Sequence, residues 1–303
     1  MKQILKSPIN NNNLKSFISC EDHTVSRETF SVYIDEKSEL LITTPRPEVE
    51  ELGKYYESEE YISHSNTNKT FIDKVYQRVR NYTIKKKVKL INSFAVENKT
   101  LLDIGSGTGD FLLACKNSGW QIIGVEPNEK AKAITYSNIN EKDSKAKIFD
   151  SVESLRNNTQ SSNAKTFDVI TMWHVLEHVP NLTEYVSNLK HLLKSSGTLI
   201  IAVPNYKSYD ANYYKEFWAA YDVPRHLWHF SKKSIQDLFN KENMEVVKTL
   251  PMKFDSYYVS LLSEKYKKGK SNLFKAFFIG FKSNSKARST KEYSSHIYII
   301  KNS

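Results

Sequence analysis

A chain of 303 residues is long enough to bury one elaborated α/β domain, or a catalytic domain with a small appendage. Its formal net charge of +10 admits anionic substrates, nucleic acid or membrane surfaces as partners and does not choose among them. Two distant cysteines, Cys20 and Cys115, argue against a disulfide framework and a cysteine zinc site, and favour a reducing, cytoplasmic setting.

In chain order, polar residues from Ser7 to Asn13 interrupt any apolar leader core, so no signal peptide is read. Phe30, Val32 and Ile34 alternate and Leu40 to Ile42 follow a polar turn, which predicts a small hairpin closed by Pro45-Arg46-Pro47. From Asn68 to about Phe94, apolar residues recur at helical spacing among Lys and Arg, predicting a long amphipathic helix with a solvated basic face.

Beyond Asn98 short apolar strands alternate with helices. The strands are expected near Leu101 to Ile104, Gln121 to Val125, Lys147 to Phe149, Phe167 to Met172 and Thr198 to Val203, with Val246 to Leu250 and His296 to Ile300 supplying the last two. Asn157 to Lys165 and Ser283 to Lys291 are polar and read as loops. The expected class is α/β, a Rossmann-like, mainly parallel seven-stranded sheet flanked by helices, with an N-terminal hairpin appendage. The domain division expected is 1–67 for the appendage and linker and 68–303 for the catalytic domain, with acceptor-side insertions near 204–230 and 251–294. Phe274 to Phe281 is broken by Lys275 and too short to cross a bilayer, so a protein without transmembrane segments is expected.

Leu101 to Phe111 places an apolar strand directly before Gly105-Ser106-Gly107-Thr108-Gly109 and a helix. A dinucleotide fingerprint would need a third glycine where Asp110 stands. Carboxylates at Asp103 and Asp110 would oppose a pyrophosphate, whereas S-adenosylmethionine (SAM) carries an ammonium and a sulfonium and no phosphate. Glu126 ends the next strand, where a carboxylate can accept from both ribose hydroxyls.

Asp103 to Gly109, Glu126, Phe167-Asp168-Val169-Ile170 and Trp173-His174-Val175-Leu176-Glu177-His178-Val179 together resemble the sequential motifs of class I SAM-dependent methyltransferases. The resemblance implies that SAM is bound by Asp103, Gly105, Ser106, Gly107, Gly109, Asp110, Phe111, Glu126, Pro127 and Trp173, with Asp150 and Ser151 beside adenine. The N-terminal unit also resembles a leader of some bacterial relatives, in which cysteine pairs build a zinc ribbon before a Thr-x-Pro-Arg-Pro segment. Only Cys20 and Thr44-Pro45-Arg46-Pro47 match, so the hairpin is expected without metal.

Three clusters compete for the acceptor. His174, Glu177 and His178 share one face of a helical turn. They resemble the two glutamates and histidine of quinone-biosynthesis O-methyltransferases, but His174 replaces the first glutamate, and metal dependence is not expected. In Tyr221 to Phe230, Arg225 is a candidate to hold an anionic acceptor, His226 to take its proton, and Trp218, Tyr221 and Trp228 to wall the pocket. A salt bridge of Asp222 with Arg225 that merely braces the loop fits the same pattern. Tyr257 to Lys282 mixes aromatics with lysines; a lid, a dimer contact and a membrane-surface helix all fit, and the lack of a sustained amphipathic period favours the lid.

The expected function is methyl transfer from SAM to a small-molecule acceptor, at O or N, with His226, His174 and His178 as catalytic candidates. RNA methylation and a non-catalytic SAM-binding scaffold are the alternatives; RNA is not favoured because Met172-Trp173-His174 stands where methylation of base amino groups would place Asn/Asp-Pro-Pro-Tyr/Phe.

Overall fold

The computed structural model describes residues 1–56, 71–94, 99–140, 147–160 and 167–303. Its main sheet is built by β4 (Thr100–Ile104), β5 (Gln121–Val125), β6 (Lys147–Phe149), β7 (Phe167–Trp173), β8 (Leu193–Pro204), β10 (Met244–Pro251) and β11 (Ser295–Asn302). Their order is β10-β11-β8-β7-β4-β5-β6, with the pairs β4 to β8 parallel and β11 antiparallel to both neighbours. Strand β7 is buried from Phe167 to Met172, as expected for a central strand covered on both faces. The helices α2 (Asp110–Asn117), α3 (Glu129–Asn140), α4 (Val152–Gln160) and α5 (Leu182–Leu192) follow the first four parallel strands, as the alternation predicts.

Parallel strands connected this way bring their carboxyl ends to one edge. The registers pair Asp103 with Gly124, Ile104 with Val125 and Met172, and Val125 with Phe149. Glu126, Asp150 and Trp173 therefore stand at neighbouring strand ends beside the glycine turn, where open α/β sheets bind ligands. Asp168 lies at the opposite end and has a different task. It accepts from the Thr100 backbone N–H at 2.9 Å and pairs with Lys194 at 2.8 Å, tying the starts of three strands together.

The expected hairpin is present as β2 (Thr29–Asp35) and β3 (Leu40–Thr43), extended on one side by β1 (Lys15–Glu21) and on the other by β9 (Trp228–His229), which comes from the distant connection after β8. Two expectations need correction. Asn157 to Gln160 continue α4, and the rest of that expected loop lies outside the described residues. Ser283 to Thr290 form the end of α9 (Leu273–Thr290), because Ser283 and Ala287 are buried on its inner side despite a polar composition. The long basic helix is observed as α1 (Phe71–Asn92); its expected start at Asn68 and the 67/68 boundary lie outside the described residues.

The four-stranded sheet is locked to the connection after β8 by Arg225. This buried guanidinium donates from Nη2 to Asp22 at 3.0 Å and to Asp222 at 2.6 Å, and from Nη1 to the Tyr55 carbonyl at 3.0 Å. Burial alone would raise the Asp22 carboxyl, but backbone donation from Ser26 and the nearby guanidinium of Arg225 outweigh it and hold the carboxyl well below the carboxylate range. Cutting one partner from a buried pair leaves the others uncompensated. Arg225→Ala is expected to lower unfolding free energy by about 3–5 kcal/mol in urea titrations, and Arg225→Lys to recover little of it because an ammonium lacks the planar fork. A loss within experimental error for Arg225→Ala would refute this bracing role.

Candidate functional site

The glycine turn follows β4. Gly105 has φ of 72°, and a Cβ there would meet Val175 Cγ2 at 2.4 Å; Gly109 has φ of 79°, and its Cβ would meet Thr135 Cγ2 at 2.6 Å. Both positions need glycine for conformation and for space. The contact at Gly105 has a second meaning, since Val175 belongs to the turn carrying His174, Glu177 and His178. The glycine cradle and the histidine turn are thus packed directly against each other.

Glu126 is buried and its two oxygens are separately anchored, one accepting from Gly107 N at 2.8 Å and the other from Asn128 N at 2.9 Å. Each carboxylate oxygen has further lone-pair capacity, so the side chain is fixed while remaining able to take two hydroxyls. Asp103 is buried and accepts from Thr171 Oγ1 at 2.6 Å; burial pushes its carboxyl upward, against the pull of that bond and of Lys87. Ser106 Oγ and Trp173 Nε1 are buried without hydrogen-bond partners in the same cradle, and Phe111 meets the Trp173 ring edge-on at 5.6 Å. A bound ligand or water can complete such atoms.

The remaining expected cofactor residues are more peripheral. Asp110 is bound by Arg80 and by Thr108 Oγ1, so its charge is already answered by the protein. Pro127 and Asp150 are exposed, Asp150 pairs with Lys132, and Ser151 caps the start of α4 by accepting from Ser154 N at 3.0 Å.

Sequence reasoning missed two cations. Arg80 and Lys87 are seven residues apart on α1, hence on one face. Arg80 reaches Thr108 and Asp110 at the glycine turn, while the Lys87 ammonium lies 4.1 Å from the Trp173 ring centre. Burial pulls the Lys87 ammonium downward, against the nearby Asp103 carboxylate. The spacing in a basic helix was the available signal, but nothing local showed which basic face turned inward.

The histidines divide by charge. His174 adopts a φ of 59°, uncommon outside glycine, and sits between Glu177 at 3.4 Å and Asp255 at 3.0 Å. Burial works against its charged form, but the Asp255 and Glu177 carboxylates win and push it up to about 10. An imidazolium has no lone pair to accept a proton, so His174 is removed from the set of general bases expected from sequence. His178 is pulled down to about 4 by burial and by His226, and is neutral near pH 7.

His226 lies edge-on to His178 with ring centres 4.6 Å apart. Its Nδ1 faces the Ala220 carbonyl at 2.9 Å, and His178 Nδ1 faces the Arg225 carbonyl at 3.1 Å. A carbonyl can only accept, so His226 Nδ1 carries hydrogen and Nε2 is left as its acceptor atom; His178 Nδ1 also lies 3.0 Å from the Tyr56 hydroxyl, which can either donate to it or accept from it. Glu177 is buried with neither oxygen in hydrogen-bond geometry, and burial that would protonate it is outweighed chiefly by His174. Donor atoms of Glu177, His178 and His226 lie within 4.8 Å of one another, a nitrogen and carboxylate set able to hold a divalent ion or to manage a proton. This trio differs from the expected one, since His226 arrives from a distant loop where His174 turns away to Asp255.

The expected acceptor contacts are also placed differently. Arg225 is committed to Asp22, Asp222 and Tyr55, which is the bracing alternative rather than anion binding. Trp218 donates to Asp210 at 2.9 Å and Trp228 to the Val179 carbonyl at 2.6 Å; both are buried, with Tyr221 packed against Trp218. Trp218 and Tyr221 line a small cavity together with Asp222 and Arg225, and Tyr221 also borders a larger one with Tyr206 and Lys207. Arg46 of the Thr-Pro-Arg-Pro segment stacks 4.4 Å from the Trp228 ring centre, and Cys20 is buried, its thiol pushed up to about 12 by burial and by Glu216. That leader thus serves packing.

Among solved structures, magnesium protoporphyrin IX methyltransferase from Synechocystis PCC 6803 matches with a TM-score of 0.51 and 13% identity over 79% of this chain and 91% of that one. A putative sarcosine dimethylglycine methyltransferase from Galdieria sulphuraria gives a TM-score of 0.51 and 12% identity over 76% of this chain and 88% of that chain. At such identity these likenesses show the fold. Curated relatives include a ubiquinone biosynthesis O-methyltransferase from Haemophilus ducreyi, 34% identical over 114 residues, 35% of this chain and 46% of that protein. Another with the same name, from Pelagibacter ubique, is 28% identical over 167 residues, 53% of this chain and 67% of that protein. The chain spans about half the length of the first curated relatives it matches. A family model described as a methyltransferase domain matches residues 76–249, more than half of the chain, and the protein belongs to that family.

Proposed function

We propose that the chain transfers a methyl group from SAM to a small-molecule acceptor, with an oxygen nucleophile favoured by the names of its curated relatives. The observation that carries the reading is Glu126, pinned by two backbone N–H groups at the end of β5 beside a glycine turn with buried, unanswered polar atoms. In this reading Glu126 receives the ribose hydroxyls and Asp103 faces the methionine ammonium. Arg80 and Lys87 supply positive charge for the methionine carboxylate.

Methyl transfer is an in-line displacement. The bond from sulfonium to methyl breaks as the bond from acceptor oxygen to methyl forms, and the electron pair goes to sulfur, leaving S-adenosylhomocysteine. The acceptor proton passes to His226 Nε2. Glu177, anionic and buried, stabilises the imidazolium so formed, and the neighbouring His178 remains neutral. The acceptor enters above the turn at 174–178, which Val175 presses against Gly105.

Incubation with labelled SAM and fractionated cell extract should yield acceptor-dependent S-adenosylhomocysteine; cofactor binding without transfer to any fraction would support a scaffold instead. Glu126→Ala is expected to weaken SAM binding by calorimetry, whereas His226→Ala slows turnover with little change in cofactor affinity. Equal loss of affinity in both variants contradicts this division of labour. Lys87→Met should weaken SAM and S-adenosylhomocysteine alike, by about 10-fold for one lost charge-assisted contact, and leave adenosine affinity unchanged. Loss of adenosine affinity to the same extent would place Lys87 elsewhere.

The His178 shift has a sign that can be read in stability. Below pH 6.5 the unfolded ring takes up a proton, while the folded ring resists until about 4, so the unfolded state binds more protons and stability falls with pH across that window. Urea midpoints measured from pH 7 to 4 should fall less steeply for His178→Gln than for the unaltered chain. Identical slopes would show that His178 is not held neutral by the fold.

A further inference from the structure

Helix α8 (Asp255–Lys268) and α9 form an antiparallel pair between β10 and β11. The inner side of α9 is fixed. A Cβ at Gly280 would meet Tyr257 at 2.8 Å, Ser256 Oγ donates to the Gly280 carbonyl at 3.1 Å, and Ser283 Oγ donates to Asp210 at 2.6 Å. Ala276, Ile279 and Ala287 are buried on the same side.

The other side carries Phe274, Phe277, Phe278 and Phe281, which are 91%, 64%, 60% and 53% exposed. Their spacing of three, four and seven puts all four on one stripe of the helix. Two apolar sets on opposite sides of one helix hide each other's period in the sequence, which is why no amphipathic pattern was read there. Four exposed phenylalanines in one stripe are far more than the scattered apolar residues of an ordinary surface.

The charges around this stripe identify its occupant. Positions 265–291 contain nine Lys or Arg residues and no Asp or Glu. Lys267, Lys268, Lys270, Lys286 and Arg288 are exposed, in the last turn of α8, on the turn between the helices and toward the end of α9. A second copy docked face to face would bring two such cationic fields together. An anionic bilayer answers both features, since phenylalanines enter the acyl boundary while lysines meet lipid phosphates. No helix among the described residues is long and apolar enough to cross a membrane, and α9 would lie in the plane of the surface.

We propose that the phenylalanine stripe of α9 and its surrounding lysines form a peripheral docking surface for anionic lipid bilayers. The pairing of Asp255 with His174 anchors the base of α8 to the turn beside the glycine cradle, so the docked face and the candidate site belong to one packed unit. The proposal does not depend on the identity of the acceptor.

Flotation of the full chain with vesicles tests it. At roughly 0.1 M salt, where charges act over about 10 Å, the protein should float with phosphatidylcholine vesicles containing phosphatidylglycerol and not with phosphatidylcholine alone. Raising the salt should weaken the association. Phe274→Ser combined with Phe278→Ser should reduce bound protein at least about tenfold, with thermal midpoint and far-UV dichroism unchanged because both rings are exposed. Absence of flotation with anionic vesicles, or equal flotation of the double variant, overturns the proposal. So does a phenylalanine-dependent dimer in sedimentation that shows no vesicle binding, which would give the stripe to a second copy.

Discussion

The junction between the N-terminal sheet and the connection after β8 depends on one buried guanidinium. Arg225 joins Asp22 of the N-terminal meander to Asp222 of the connection after β8, positions 203 residues apart in the first case. Asp22 is prepared for it by a local cage, in which backbone N–H groups of Thr24 and Ser26 donate to its two oxygens. The charge is thus paired and hydrogen-bonded on both sides, the condition under which burial of ions is tolerated. Alongside it, β9 pairs with β3, Thr43 Oγ1 donates to the His226 carbonyl at 2.7 Å, and Leu227 N donates to the Glu177 carbonyl at 2.8 Å. Those few bonds hold His226 against Glu177 and His178. The small sheet is therefore the scaffold that sets the geometry of the histidine cluster.

This division explains what could be read from the chain. The glycine turn, Asp103 and Glu126 were legible because strand, turn and helix are consecutive, and parallel registers then bring successive strand ends together. The seven main strands were legible for the same reason, as short apolar runs separated by helical spacing. His226 was visible as a residue but its partners were not, since they depend on a pairing between residues near 42 and 228. Arg225 presented both of its readings in sequence, and only the position of Asp22 separates them. The two faces of α9 illustrate a further limit: periodicity reports one buried face well and two apolar faces poorly.

Electrostatics sorts His174 and His178, four residues apart, into different chemical states. His174 lies between two carboxylates and is held protonated, while His178 meets burial and a second imidazole and is held neutral. Glu177 contacts the first and lies beside the second, so its negative charge is answered by His174 yet directed toward the pair formed by His178 and His226. In the proposed reaction, that buried negative charge lies beside the imidazole pair that would receive the acceptor proton.

The same reasoning bears on how the two halves communicate. Val175 fills the space that a side chain at Gly105 would take, so the turn bearing the histidines cannot shift without disturbing the glycine cradle. Asp255 at the start of α8 holds His174 from the other side, linking the helical pair to that turn. Packed interiors transmit such displacements because they leave little free volume to absorb them. His174 is thus the junction of the two, paired on one side with Asp255 of α8 and on the other with Glu177 of the histidine cluster.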